Sequence, residues 1–146
     1  MPKDFELIPH TADLKIRVYG SNLAELFRHA VIGMFQAIEP RAQGCTVQQD
    51  RLVCSSLPQS HEITVESPDA ASLLVDFLSH ALYLSDVHNE AYLDATIHEI
   101  TNTNVRATVR GVEVTGFNVE IKAVTYHDLD IHKQGGLWQT DIVFDI

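Results

Sequence analysis

A broad apolar stripe over residues 23 to 38 constrains the fold more than any other feature of this sequence. Its members recur at alternating steps of three and one residues: Leu23, Leu26, Phe27, Ala30, Val31, Met34, Phe35 and Ile38. That spacing is typical of one face of an amphipathic helix. Asn22 can cap this helix, Glu25 completes a capping-box pattern and Pro40 ends it. We therefore predict a helix whose stripe faces the core.

A second helix is predicted after the strand-like stretch "HEITVES". In this interpretation Ser67 caps the helix, Pro68 takes its first position, and Asp69 lies near the positive end of the helix dipole. Its buried face consists of Leu73, Leu74, Phe77, Leu78, Ala81 and Leu82. The two helices are separated by strand patterns and so form part of one mixed domain.

The remaining segments mostly read as strands. "FELIPH" and "DLKIRVYG" precede the first helix, and "AYLDATIHEI", "NVRATVRGVEV", "NVEIKAVTYHDLDIHKQ" and "LWQTDIVFDI" follow the second. Residues 41 to 60 are polar and broken, which indicates one or two edge strands and a long loop of unassigned role. Strands and helices come in separate blocks along the sequence. This order predicts a single α+β domain over residues 1 to 146, with a mostly antiparallel sheet and two main helices.

The charge balance limits the classes of partner. Twenty acidic against ten basic residues give a formal charge of −10. Binding to a phosphate backbone is driven by Lys and Arg that displace counterions, so we expect no direct nucleic-acid binding. An acidic surface favours cations or a basic protein partner.

The cysteine content and the amino terminus predict a cytoplasmic protein. Cys45 and Cys54 lie nine residues apart without a C-x-x-C pattern, and we interpret them as reduced thiols. The start "MPKDFELIPH" lacks the apolar core of a signal peptide. No run of eighteen apolar residues predicts a membrane span.

The last two strand patterns predict a hairpin that turns at Gly135 and Gly136, where positive φ is required. In that register Asp130 lies across from Asp141, and Asp128, Asp130, Asp141 and Asp145 share one side. Like charges so placed repel each other. The register is therefore shifted by one residue, or this side is solvated, or it holds a cation.

Common catalytic motifs are missing from the sequence. "HEITV" begins like the zinc motif H-E-x-x-H, but Val65 occupies the place of the second histidine. No G-x-S-x-G, G-x-x-x-x-G-K-[ST] or G-x-G-x-x-G pattern occurs. This favours a non-catalytic accessory protein.

Several segments together resemble the archease family: "HTADLKIRVYG" with the first helix, "LLVDFLSHALYL", "EIKAVTYHDLDI" and the terminal "WQTDIVFDI". The resemblance spans nearly the whole chain and is weakest over residues 41 to 60. It implies an accessory protein of the tRNA-splicing RNA ligase, which joins RNA through a guanylylated histidine. Such a protein promotes that guanylylation, allows multiple turnovers and broadens the choice of nucleotide, and it is not itself an enzyme.

The resemblance also implies a divalent-cation site. The family's aspartates fall on Asp13 and Asp145, and the terminal Ile146 contributes oxygen. This oxygen-only set suits a hard cation, with Ca²⁺ expected and Mg²⁺ or Mn²⁺ as alternatives. His10 is a further ligand or a hydrogen-bonding neighbour of the ligands. From sequence alone Asp13 would be a cap at the entrance of its strand.

Two residues in "IKAVTYH", Lys122 and Tyr126, either face the partner or brace the cation site. Assistance to a ligase can act through placement of its metal or through selection of its productive conformation. Outside the family, the alternatives are a small metal-dependent phosphoesterase that uses Asp13 and Asp145, and a chaperone-like binding module.

Overall fold

Antiparallel sheets and two helices build the fold, as the sequence predicts. This computed structural model describes residues 3–8 and 13–146. In chain order the elements are β1 (Phe5–Ile8), β2 (Leu14–Gly20), α1 (Leu23–Ala37), β3 (Pro40–Arg41), β4 (Cys45–Gln48), β5 (Arg51–Cys54), β6 (Gln59–Glu66), α2 (Ala70–His88), β7 (Glu90–Ile100), β8 (Asn104–Glu113), β9 (Gly116–Phe117), β10 (Ala123–Val124), β11 (His132–Gln134) and β12 (Leu137–Asp145).

The larger sheet brings the two ends of the chain together. Its strands follow the order β1-β2-β12-β10, and β11 also pairs with β12. Strand β2 alternates in the expected way, with Ile16 and Val18 fully buried and Lys15 and Arg17 on the opposite side. The last strand of the chain therefore lies in the interior of this sheet, next to the second strand.

The smaller sheet has the order β6-β8-β7, and helix α1 contacts strands of both sheets. Aromatic side chains fill the space around the helices. Phe27 of α1 packs on Phe77 of α2 with ring centroids 5.6 Å apart, and Phe35 meets Tyr92 edge to face at 5.4 Å. Both predicted apolar helix faces thus contribute to a single hydrophobic core.

The start of α1 confirms its predicted cap. The Asn22 side chain accepts a hydrogen bond from the Glu25 amide at 2.8 Å. Glu25 in turn accepts from the amide and the hydroxyl of Ser21, at 3.1 and 3.0 Å. Reciprocal bonds of this kind satisfy amides that the first helical turn leaves without partners.

The predicted start of α2 is wrong by two residues. Asp69, not Ser67, caps the helix and accepts from the Ser72 amide at 2.8 Å, which lowers the pKa of Asp69. Ser67 is buried and has other partners, because its hydroxyl donates to Asp76 and its amide to the Thr103 carbonyl. Tertiary contacts therefore move the helix start away from the first residue able to cap it.

Residues 41 to 60 hold two edge strands, and the prediction of reduced thiols is wrong. Strands β4 and β5 form a hairpin with Cys45 directly opposite Cys54, and the two are joined by a disulfide. Cysteine spacing did not reveal this because the pairing depends on a short turn at Gln49 and Asp50, both with positive φ. The buried side chain of Gln36 fastens the hairpin to α1.

Helix α2 is long and apolar enough to cross a membrane, by length and composition only. In the fold it is a core helix that contacts β6, β7 and β8. Its buried side chains are Leu73, Leu74, Val75, Phe77, Leu78, Ala81 and Ser85. Burial of this kind is typical of the central helix of a mixed domain.

Candidate metal centre

The register between β2 and β12 places the predicted site at one end of the larger sheet. Leu14 is the Cα partner of Phe144 in this antiparallel pair. Asp13 directly precedes β2, and Asp145 is the last residue of β12. If the register continued by one residue, Asp13 would lie opposite Asp145.

The end of β12 is held from both sides. On the side away from β2, Ala123 of β10 is the Cα partner of Asp145, and the Lys122 amide donates to the Asp145 carbonyl at 2.7 Å. The side chains of Asp145 and Ile146 are nevertheless exposed, and Ile146 is 45% accessible. A fixed backbone with accessible carboxylates suits a site that meets a ligand.

Strand alternation decides which way these carboxylates face. Phe144 and Ile142 are fully buried on the core side of β12. Asp145 occupies an alternate position, on the side of the sheet that also carries Lys15 and Arg17. Its carboxylate therefore belongs to the outer face of the larger sheet, away from the hydrophobic core.

The predicted hairpin register is correct near its turn but ends early. Gln134 pairs with Leu137 and His132 with Gln139, as the Gly135 and Gly136 turn requires. Before β11, residues 126 to 131 do not pair with β12, whereas Thr125 bonds to the Val143 carbonyl and β10 pairs with the end of β12. Asp130 consequently does not pair with Asp141, and its side chain is 85% exposed.

Basic side chains neutralise much of the predicted acidic face. Asp141 pairs with Arg17 across the sheet, which lowers the pKa of Asp141 through two hydrogen bonds. The Lys15 ammonium lies 3.7 Å from Asp141 and 3.5 Å from Asp128, and its side chain is only 15% exposed. The sequence analysis assigned no role to Lys15, although its position two residues after Asp13 places both on one face.

Of the other predicted site residues, the structure describes Lys122 and Tyr126 but not His10. Lys122 and Tyr126 flank β10, and both side chains are exposed. The Tyr126 carbonyl accepts from the Leu129 amide at 3.1 Å, which turns the chain back toward β12. His10 lies outside the described residues.

A family model matches residues 5–146 and carries the description "Archease protein family (MTH1598/TM1083)". The chain belongs to the archease family. Among its relatives, the protein archease of Methanosarcina mazei is 32% identical, over 99% of this chain and 97% of its own length. That of Pyrococcus abyssi is 31% identical over 99% of both chains.

Two solved structures share the fold of this archease-family protein. The solution structure of Methanobacterium thermoautotrophicum protein 1598 matches with a TM-score of 0.65 at 26% identity, over 98% of this chain and 99% of that one. The crystal structure of an archease from Thermotoga maritima, described there as a possible chaperone, matches with a TM-score of 0.61 at 22% identity. It covers all of this chain and 98% of its own, and at this identity it supports the fold alone.

The donor chemistry of this archease-family site fits a hard cation. Asp13, Asp145 and the carboxylate of Ile146 supply oxygen only, which is the preference of Ca²⁺, Mg²⁺ and Mn²⁺. Within residues 3–8 and 13–146, no three or more His, Cys, Asp or Glu side chains form a metal-holding group. A cation here would therefore depend on the terminal carboxylate in addition to the two aspartates.

Proposed function

We propose that this archease-family chain is an accessory activator of the tRNA-splicing RNA ligase. In this role it promotes guanylylation of the ligase's active-site histidine and sustains multiple turnover, without catalysing a reaction itself. Membership of the archease family supports the proposal, since the match extends over nearly the whole chain. The chain would act in the cytoplasm beside its ligase, with no direct contact to nucleic acid.

The site in this proposal comprises Asp13, Asp145 and the terminal carboxylate of Ile146, which would hold Ca²⁺ or, alternatively, Mg²⁺ or Mn²⁺. Bound there, a divalent cation supplies positive charge that can neutralise nucleotide phosphates in phosphoryl-type transfer. His10 is proposed as a further ligand or a neighbour that orients one. Lys122 and Tyr126, exposed on either side of β10, would contact the ligase.

The antiparallel pairing of Leu14 with Phe144 supports the proposal of a cation site, because Asp13 and Asp145 are the next residues at this end of the sheet. Carboxylates that lie close together favour a cation between them. Phe144 and Ile142 are fully buried and hold β12 in place on the core side. The end of this strand would thus present Asp145 and the terminal carboxylate to a positive charge.

The decisive experiment measures guanylylation of the cognate ligase and its single- and multiple-turnover ligation, with and without this chain. We expect faster guanylylation and continued turnover with the unaltered chain, and loss of both with Asp145→Asn. Asp130→Asn is the matched control because that carboxylate is also exposed and lies outside the proposed site. If the unaltered chain fails to stimulate the ligase, the proposed function is wrong.

A further variant, Asp13→Ala, separates placement of a metal from selection of a conformation. If Asp13→Ala still folds and binds the ligase but no longer stimulates it, placement of the metal is supported. Full stimulation by Asp13→Ala assigns the effect to conformational selection alone. Hydrolysis of a simple phosphoester by the purified chain with divalent metal would instead indicate a phosphoesterase.

A chaperone-like role is the second candidate, since the Thermotoga maritima relative is described as a possible chaperone. Val47, Tyr83 and Val87 are large exposed apolar side chains of the kind that could contact unfolded proteins. Protection of an unrelated, heat-unfolded enzyme from aggregation would support this role, and absence of protection would leave the specific activator.

A further inference from the structure

A groove lined by both apolar and polar residues runs between the second half of α2 and the segment 114–124. Its volume is about 780 Å³. Leu82, Phe117, Val119 and Ile121 line it and are only partly buried, since they pack on the core from one side. A groove of this kind exposes apolar surface that the fold itself does not cover.

The groove is continuous with the candidate metal centre. Lys122 and Ala123 line the groove and also belong to the segment that binds the end of β12. The Lys122 amide donates to the Asp145 carbonyl, and Ala123 is the Cα partner of Asp145. A partner that covers Asp145 would therefore lie at the mouth of the groove.

Charges on the groove favour a basic occupant. Asp86 of α2 lines one wall and Glu120 the other, and both side chains are exposed. Lys122 offers the only opposing charge among the residues that line this groove. A second copy of the chain would bring another net charge of −10 toward this one, which opposes self-association here.

We propose that this groove receives a short segment of the partner protein, in which apolar side chains are flanked by Lys or Arg. The apolar side chains would cover Leu82, Val119 and Ile121, and the basic flanks would meet Asp86 and Glu120. Apolar anchors supply most of the affinity of such contacts, while complementary charge governs orientation and the rate of association. The identity of the partner as the ligase rests on the proposed function.

Tyr83 provides the sharpest single test. It borders the groove, and 65% of its surface is exposed, so its replacement should not disturb the core. We expect Tyr83→Asp to weaken binding to the cognate ligase at least tenfold by calorimetry. The matched control is Val47→Asp, which adds the same charge at a residue 71% exposed on the β4–β5 hairpin and should bind normally.

The charge component is tested by salt dependence. Glu120→Lys should slow association and flatten its dependence on ionic strength, whereas Glu99→Lys on the smaller sheet, also exposed, should change neither. Unchanged binding by both Tyr83→Asp and Glu120→Lys would overturn the groove assignment while the proposed function stands.

A partner-free measurement keeps the two proposals separable. A synthetic amphipathic peptide of Leu and Lys is added to the full chain, and amide chemical shifts are recorded. Shifts confined to residues 82–86 and 117–122 support the groove even if the ligase does not bind. Shifts scattered over other acidic surfaces overturn it, as would a dimer that Tyr83→Asp dissociates or a small molecule found to occupy the groove in the purified protein.

Discussion

Asp141 accepts two hydrogen bonds from the guanidinium group of Arg17, at 2.7 and 3.1 Å, across the central pair of the larger sheet. The two residues are Cα partners in the β2 and β12 register. Lys15 approaches the same carboxylate at 3.7 Å. This arrangement holds the last strand of the chain against the second, at whose start Asp13 lies.

We predict that Asp141→Asn destabilises the fold by about 1 to 2 kcal/mol. Hydrogen bonds to charged groups contribute about 1.5 to 3 kcal/mol, but a third of the Arg17 side chain is exposed and solvent screens part of this. Urea denaturation measures the change. Asp130→Asn should stay within about 0.5 kcal/mol, and an equal loss in both variants would contradict a specific role for the Arg17 pair.

The same pair predicts a dependence of stability on acid. The hydrogen bonds from Arg17, then the nearby charges, hold the pKa of Asp141 below its ordinary value of 3.8. The unfolded state therefore binds this proton at higher pH than the native state. The stabilisation is complete above the unfolded pKa and is lost as pH falls from 3.8 through the lower native value.

The measurement compares unfolding free energies of the unaltered chain and Asp141→Asn as a function of pH. Their difference should be constant at neutral pH and should shrink below pH 3.8. A difference that grows on acidification would contradict the sign of this argument. The side chain of Asp94 also has a lowered pKa, through Arg28 and Arg110, and it titrates equally in both proteins.

The contact of Gln36 with the β4–β5 hairpin leads to a further prediction. The sequence analysis assigned no role to this part of the chain. Its side-chain amide donates to the Leu52 carbonyl at 3.0 Å and its oxygen accepts from the Leu52 amide at 2.8 Å. Replacement of Gln36 by Leu leaves the buried Leu52 amide and carbonyl without these hydrogen-bond partners. We expect a loss of about 2 to 4 kcal/mol, because each unsatisfied group costs about 1 to 3 kcal/mol.

Hydrogen exchange at the Leu52 amide is the direct readout for Gln36→Leu, and it should accelerate strongly. Gln48→Leu is the matched control, since Gln48 is exposed and its side chain bonds only to Thr46 among the described contacts. Slow exchange at Leu52 in Gln36→Leu would show that the hairpin is held by other contacts.

Local patterns predicted the elements of this fold better than their long-range partners. The α1 cap, the alternation of β2 and the glycine turn each depend on residues close in sequence, and each is confirmed. The α2 start failed because Ser67 bonds to Asp76 and Thr103, which no local pattern reveals. The predicted pairing of Asp130 with Asp141 is wrong because β11 begins only at His132, and Asp141 pairs with Arg17 instead.

The candidate site shows the same difference between local patterns and long-range contacts. Alternation along β2 and β12 indicated which side chains share a face, but only the strand pairing shows that the start of β2 and the end of β12 lie side by side. The joint site of Asp13 and Asp145 came from the family resemblance and stays a prediction. The neutralising role of Lys15 depends on Asp128, which reaches it from a loop that the sequence analysis treated as strand.

The Cys45–Cys54 disulfide predicts a modest, local stabilisation. It closes a loop with a sequence separation of nine, for which loop-closure entropy gives about 2.5 kcal/mol. We expect the Cys45→Ser, Cys54→Ser double variant to lose up to this amount and to exchange faster over β4 and β5 than elsewhere. Dithiothreitol should reproduce the loss of stability in the unaltered chain and leave the double variant unchanged. A loss in both proteins would contradict the stabilising role of the disulfide.

Cation binding should stabilise the folded chain by mass action. At a Ca²⁺ concentration 100 times its dissociation constant, a site present only in the native state adds about 2.7 kcal/mol. For a chain of this length that raises the melting temperature by about 5 to 10 °C, and chelation should reverse the rise. Asp13→Asn and Asp145→Asn each remove one negative charge from the proposed site and should abolish the rise, while Asp130→Asn should keep it.

Calorimetric titration of the unaltered chain and these three variants gives the affinity for Ca²⁺ directly. If the two site variants bind Ca²⁺ as tightly as the unaltered chain, the cation is held elsewhere and the pairing of β2 with β12 serves the sheet alone.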